Sequence, residues 1–137
     1  MVLKLSDKSN YLTGLLVLTG KNINIEILEE KLIRFIAGKL GFNHNFIDES
    51  ILKIKVRKYI IEELPVFSCR EIAEVFIKDA IRFAFVDSTL HLNELQWMSA
   101  IAMRNKLSGQ WVISEIKYFL NNNHYCQYDS FEIQKHV

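Results

Sequence analysis

The sequence has few of the residues that interrupt helices. Its 137 residues include one proline and five glycines. A sandwich or barrel of many short strands needs more turn residues than this, so the scarcity favours long helices. Cysteine is scarce as well, because only Cys69 and Cys126 occur and they form no CxxC pair. Isolated thiols are typical of a reducing compartment, and we therefore expect a cytoplasmic protein.

An excess of one charge and a long apolar run are also lacking. Lys and Arg number 17 and Asp and Glu number 16, which gives a formal net charge of +1. This balance provides no general attraction to nucleic acid or to anionic lipid, so we expect neither a nucleic-acid partner nor membrane insertion. The most apolar early segment, residues 11–20, is too short to span a bilayer. Four basic residues within 53–58 leave a phosphate-binding stripe as an alternative, but a solvated face beside Glu62 and Glu63 is favoured.

Apolar residues recur at spacings of three and four along most of the chain, which predicts amphipathic helices. A first helix is predicted to begin at Ser6 or Asp7 and to end at Gly20, and a second follows Asn24 and ends at Gly41. Residues 45–64 are interpreted as helical, with a break near Val56 as an open alternative.

The clearest helix start is predicted at Ser68, because Ser68 and Glu71 have the spacing of a capping box. The helix that follows is apolar around most of its circumference, so we expect it to be central. Two more helices are predicted before residue 121, the later one capped by Ser108. The tail, residues 121–137, is interpreted either as a short helix or as a strap across the bundle. The sequence therefore predicts one all-α domain over residues 1–137, a bundle of six to seven helices with its core at about 10–120.

Two segments of the chain resemble each other. Residues 23–40 align with residues 90–107 at an offset of 67, and both segments contain a loop, a cap position and an amphipathic helix that ends in Lys-Leu. This weak repeat predicts a duplicated helical unit. At this offset Asp87 falls on Gly20.

The stretch VDSTLHLNEL, residues 86–95, is the candidate site. An EF-hand with Asp87 at its fifth position and Glu94 at its twelfth would place Phe83 and Phe85 at ligand positions, so the EF-hand is rejected. A helix cap is the simplest interpretation, with His91 as the N-cap and Glu94 at the third helical position.

A metal site at the same turn is the third interpretation. Asp87 and Glu94 would supply hard oxygen ligands suited to Ca²⁺, Mg²⁺ or Mn²⁺. His91 would join them only in a transition-metal site. The remaining ligands would be water or one of three further acids: Asp79, Glu26 and Glu30.

A helix rich in Ala and Phe, then Asp87-Ser88-Thr89-Leu90 and Glu94, then an amphipathic helix that ends in Lys-Leu, resembles the TerB-like family. That family is named after tellurite-resistance proteins and is similar to the N-terminal domain of a membrane-anchored J-domain co-chaperone. The resemblance covers residues 10–120, with its specific residues within 84–107. It implies an all-helical, pseudo-duplicated core, divalent metal bound by acidic residues in some members, and a link to stress responses and protein assembly. Ser88 replaces the family's Gly, and the first half of the chain has no matching Asp.

The sequence thus leads us to expect a non-enzymatic TerB-like domain that binds or scaffolds another protein in a stress response such as tellurite resistance. We expect a weak divalent-cation site at Asp87 and Glu94, no catalytic residues, and an oligomeric state that the sequence leaves open. The alternative is a small metal-dependent enzyme that uses the same acidic turn. The sequence contains no GxSxG, P-loop, Rossmann or HExxH motif.

Overall fold

The computed structural model describes residues 2–20, 27–56, 64–87, 90–122 and 131–137. These residues form six α-helices, two short 3₁₀ helices and no strand, so the all-α prediction is confirmed. The helices in chain order are α1 (Leu5–Gly20), α2 (Ile27–Lys39), α3 (His44–Lys55), α4 (Arg70–Ala84), α5 (Leu92–Arg104) and α6 (Gly109–Asn122). The 3₁₀ helices are Phe85–Asp87 and Glu132–His136. None of the described helices combines the length and the apolar character that crossing a bilayer requires.

The two halves of the chain have the same architecture. The starts of α1, α2 and α3 at residues 5, 27 and 44 are each followed 65 residues later by the starts of α4, α5 and α6, at 70, 92 and 109. In the first half α1 packs on α2 and α3, which also contact each other, and in the second half α4 packs in the same way on α5 and α6. The contact between α1 and α4 joins the two three-helix units. As predicted, α4 is central.

Burial follows the same repeat. All eight buried residues of α1 fall on buried residues of α4 at the offset of 65, and all four of α5 fall on buried residues of α2. The predicted offset of 67 is therefore wrong by two residues. Lys-Leu occurs near the ends of both helices, and aligning these two dipeptides gave the offset of 67. At the offset of 65, Lys106 is equivalent to Gly41. At the corrected offset Asp87 falls on Asn22, which lies outside the described residues, instead of on Gly20.

Equivalent hydrogen bonds end α2 and α5. After α2, the Phe42 N–H donates to the Ala37 carbonyl at 3.1 Å and Gly41 has φ +94°, so Gly41 ends the helix as predicted. After α5, the Leu107 N–H donates to the Ala102 carbonyl at 2.7 Å and the preceding residue is again left-handed. Both ends are Schellman motifs, but the second carries a lysine, with φ 65°, where glycine is usual.

Equivalent caps begin α3 and α6. The Asn43 side chain accepts from the Phe46 N–H at 2.8 Å, and the Ser108 hydroxyl accepts from the Trp111 N–H at 3.0 Å. The Ser108 cap was expected from the sequence and is confirmed. α3 ends at Lys55, and residues 57–63 lie outside the described part of the chain, so the helical interpretation of 45–64 and the alternative break near Val56 both stay predictions there.

The predicted Ser68 cap is wrong. The N-cap of α4 is Cys69, and Ser68 instead donates from its hydroxyl and its N–H to the two carboxylate oxygens of Asp7, at 2.7 and 2.8 Å. Asp7 also accepts from the Lys4 N–H at 3.0 Å, so α1 begins at Leu5, slightly earlier than predicted. Asp7 is almost fully buried, and a buried carboxylate without hydrogen-bond donors costs more free energy than an uncapped helix start that is exposed to water. Ser68 therefore bonds Asp7.

Candidate functional site

The acidic turn lies between α4 and α5. The 3₁₀ helix Phe85–Asp87 extends α4, and α5 begins at Leu92 with His91 as its N-cap. Glu94 is buried, and its Oε1 accepts from the His91 backbone N–H at 3.0 Å, so the predicted cap is confirmed. Asp87 stands on the other side of the turn, but its side chain lies outside the described part of the structure. The pairing of Asp87 with Glu94 therefore stays a prediction.

The other acids proposed as ligands have different positions. Glu30 makes ion pairs with Lys55 at 2.8 Å and with Arg34 at 3.8 Å, and Glu26 lies outside the described residues. Asp79 is enclosed by protein donors. Within the described residues, no three His, Cys, Asp or Glu side chains form a group able to hold a metal ion.

The turn before α2 offers a counterpart to Glu94. Glu29 lies 65 residues before Glu94, at the third position of α2, and is 3% exposed where Glu94 is 1% exposed. Carboxylates are rarely this buried unless they are hydrogen-bonded or paired. A buried glutamate at the start of the middle helix is thus a property of both halves.

The buried carboxylate of Asp79 accepts four hydrogen bonds from described residues. Asp79 Oδ2 accepts from the Tyr11 hydroxyl at 2.7 Å and from the Ile133 N–H at 3.0 Å. Its Oδ1 accepts from the Glu132 N–H at 2.6 Å and from Arg82 Nη1 at 3.2 Å. Complete burial raises the pKa of Asp79 to about 6, although all four donors act to lower it.

Arg82 connects this cluster to the surface. Its Nη2 lies 3.1 Å from the Glu132 carboxylate, which also pairs with Lys135 Nζ at 3.0 Å. Partial burial acts to raise the pKa of Glu132, but Lys135, Arg82 and the charge of Lys78 together hold it below its ordinary value. Arg82 Nε is buried without a hydrogen-bond partner among the described residues. The guanidinium is thus held between two carboxylates.

The crossing of α1 and α4 explains why Tyr11 faces Asp79. Tyr11 and Phe76 are equivalent at the offset of 65 and meet edge to face, with ring centroids 5.5 Å apart. Gly14 and Asp79 are also equivalent. A Cβ on Gly14 would lie 2.4 Å from Phe76 Cζ, whereas Asp79 meets the Tyr11 hydroxyl. At the crossing, the Phe76 ring therefore packs on Gly14, whereas at the equivalent position the Tyr11 hydroxyl donates to the Asp79 carboxylate.

A cleft of about 470 Å³ opens beside this cluster, between α4, α6 and the C-terminal residues. Its lining combines two cations and two acids with aromatic and amide side chains. The lining residues are Lys78, Ile81, Arg82, Glu115, Tyr118, Phe119, Asn122 and Glu132. The cleft does not include Glu94.

The sequence pointed to Asp79 only as a reserve metal ligand and did not reveal its partners. Its position was informative, because it interrupts an apolar helix face that includes Phe76 and Phe83, and a buried acid requires donors. Apart from Arg82, three positions away on the same helix, those donors lie 68 positions earlier and more than 50 positions later in the chain, where no local pattern links them to Asp79. Comparison with known proteins found no matching family model, no similar curated protein and no similar solved structure.

Proposed function

We propose that this chain is a cytoplasmic TerB-like domain that binds or scaffolds another protein in a stress response, without catalysing a reaction. We also propose that it holds a divalent cation weakly at Asp87 and Glu94. The observation that carries this proposal is the duplicated three-helix unit with an acidic turn between the first and middle helices of its second copy. The TerB-like resemblance implies a pseudo-duplicated all-helical core, and the constant offset of 65 agrees with it.

The spacing of two acids supports a cation at the turn. Asp87 and Glu94, the two residues that carry the resemblance, stand on either side of the same short connection. Oxygen ligands of this kind suit Ca²⁺, Mg²⁺ or Mn²⁺. The first half keeps the buried glutamate at Glu29 but has Asn22 in place of Asp87, so a site in the second half is the simpler expectation.

The test is a thermal unfolding series in rising concentrations of CaCl₂, MgCl₂ or MnCl₂. A cation that binds only the native state, at ten times its Kd, stabilises the fold by about 1.4 kcal/mol. For a domain of this size that corresponds to an increase in melting temperature of roughly 5 °C. We expect the increase for the wild type with one of the three cations and its loss in Asp87→Ala.

Glu49→Ala is the matched control, because it removes one exposed negative charge from α3, away from the turn. It should keep the full cation response. Equal responses in the wild type, Asp87→Ala and Glu49→Ala would show nonspecific ion effects and refute the site. The absence of any response in the wild type would refute it as well.

The alternative of a metal-dependent enzyme receives no support from a specific observation. It required a third acid beside Asp87 and Glu94 within an open cleft. The cleft that the described residues form is lined by other side chains.

A further inference from the structure

The C-terminal strap, defined here as residues 131–137, is held on α4 in the way that proteins bind peptides. Phe131 and Ile133 are each 1% exposed, so both side chains act as buried anchors. Glu132, between them, pairs with Arg82 at 3.1 Å. An aromatic, an acidic and an aliphatic residue in succession thus provide two apolar contacts and one charged contact.

The main chain of the strap is recognised as well. The two carboxylate oxygens of Asp79 accept from two successive N–H groups, those of Glu132 and Ile133. Contacts to the main chain supply affinity for a backbone conformation, while pockets for the side chains supply specificity. Asp79 can satisfy the same N–H groups of another segment, provided that its side chains fit.

The surface that binds the strap continues into open space. Arg82 and the strap residue Glu132, which pair with each other, also line the cleft of about 470 Å³ between α4 and α6. Lys78 lines the same cleft and makes no ion pair with any described residue. A segment that replaces the strap on α4 would therefore find an extension of mixed charge and partly apolar character.

We propose that the strap groove, formed by Asp79, Arg82 and the surface of α4 that covers Phe131 and Ile133, is a docking site for a partner protein. The partner presents an aromatic–acidic–aliphatic segment, and the strap is its intramolecular competitor. The acidic position follows from Arg82, and the two apolar positions follow from the buried anchors. This inference deepens the binding part of the proposed function and is independent of the cation site.

An attached competitor has a defined effect on affinity. A segment joined to its site by a short connection has an effective concentration of roughly 1 mM. A partner segment with the chemistry of the strap must compete against that concentration in the wild type. For a segment whose intrinsic Kd is about 0.1 mM or lower, weakening the strap should therefore tighten binding by at least about tenfold.

The experiment uses the full chain and a fluorescein-labelled peptide, FEIQKHV, which has the sequence of residues 131–137. The released variant carries Phe131→Ala and Ile133→Ala. Fluorescence anisotropy should give one-to-one binding to this variant that is at least about tenfold tighter than binding to the wild type. The peptide FKIQKHV, which reverses the charge that faces Arg82, should bind at least about tenfold more weakly.

Amide exchange of the wild type provides a readout that does not depend on the folding of the variant. A saturating concentration of FEIQKHV should displace the strap and speed the exchange of the Glu132 and Ile133 amides, while FKIQKHV should not. Unchanged exchange would overturn the proposal. So would a folded released variant that binds both peptides equally, binds neither, or forms dimers by exchanging straps. None of these results bears on the cation titration, so the two proposals fail separately.

Discussion

Gly14→Ala tests the crossing of α1 and α4 most directly, because two effects of opposite sign compete there. In a helix interior, alanine is more favourable than glycine by about 0.5–1 kcal/mol. Against this, the new Cβ would lie 2.4 and 2.6 Å from Cζ and Cε1 of Phe76. Real Cβ atoms do not approach other atoms this closely, so either the ring or the helix has to move.

The ring has little room to move. Phe76 is fully buried, and three other rings surround it: Phe67 at 5.3 Å, Tyr11 at 5.5 Å and Trp97 at 6.2 Å between centroids. Overpacking of such a core destabilises by about 1–3 kcal/mol. Subtracting the gain in helix propensity leaves a net loss of about 0–2.5 kcal/mol. Because the ring is crowded, we expect about 1–2 kcal/mol, which is a fall in melting temperature of roughly 3–7 °C.

Gly38→Ala is the matched control. Gly38 lies near the end of α2, is exposed, and has no atom within 4 Å of the position of a Cβ. It should show the propensity gain alone and unfold at a slightly higher denaturant concentration. Chemical unfolding of both variants, followed by circular dichroism, measures the two free energies on one scale.

A double-mutant cycle locates the clash. Phe76→Leu shortens the ring that meets Gly14, so the two substitutions together should cost less than the sum of the two single changes, by about 1–2 kcal/mol. If Gly14→Ala is as stable as Gly38→Ala, or if the cycle shows no coupling, the proposed close approach of the two helices is wrong.

Three further substitutions test buried polar contacts. In the wild type, the free energy of unfolding should fall as the pH rises from about 4 to about 6, because the pKa of Asp79 is about 6 in the folded state and has the ordinary value of 3.8 in the unfolded state. Asp79→Asn should abolish this fall, and urea unfolding across the pH range measures it. Asn105→Ala should lower the free energy of unfolding by about 2–4 kcal/mol, since it removes the acceptor of the buried Phe67 N–H, 2.8 Å away, and two donated bonds; thermal and urea midpoints check this. Ser68→Ala should lower the free energy of unfolding by about 1 kcal/mol at pH 7 and by less in acid. Burial acts to raise the pKa of Asp7, but the donors from Ser68 and Lys4 lower it overall, so the stability that they provide is lost as Asp7 protonates. An unchanged unfolding midpoint at pH 7 would contradict this.

Features that depend on neighbouring residues were predictable from the sequence. Gly41, the Ser108 cap and the pairing of His91 with Glu94 each involve partners within a few positions, and the structure has all three. Apolar periodicity predicted the helices for the same reason, since one helical face is a local property.

Features that depend on distant partners were not predictable. Ser68 has the local spacing of a cap but bonds Asp7, 61 positions away. Asp79 offered a carboxylate, but three of its four donors, from Tyr11, Glu132 and Ile133, are reached only after the chain has folded. The repeat was detectable, but its register was not, because amphipathic helices align almost equally well after small shifts.

The unequal crossing of α1 and α4 also determines which helices can pair. If two copies of α1 met in this geometry, each Tyr11 hydroxyl would face Gly14 and find no acceptor. If two copies of α4 met, each Asp79 carboxylate would face Phe76 and lose its hydroxyl donor. Only the pairing of α1 with α4 gives the Tyr11 hydroxyl an acceptor and the Asp79 carboxylate its donor, through their hydrogen bond of 2.7 Å. Two units of the same architecture therefore recognise each other in preference to themselves, which disfavours the symmetric pairing of like units from two chains.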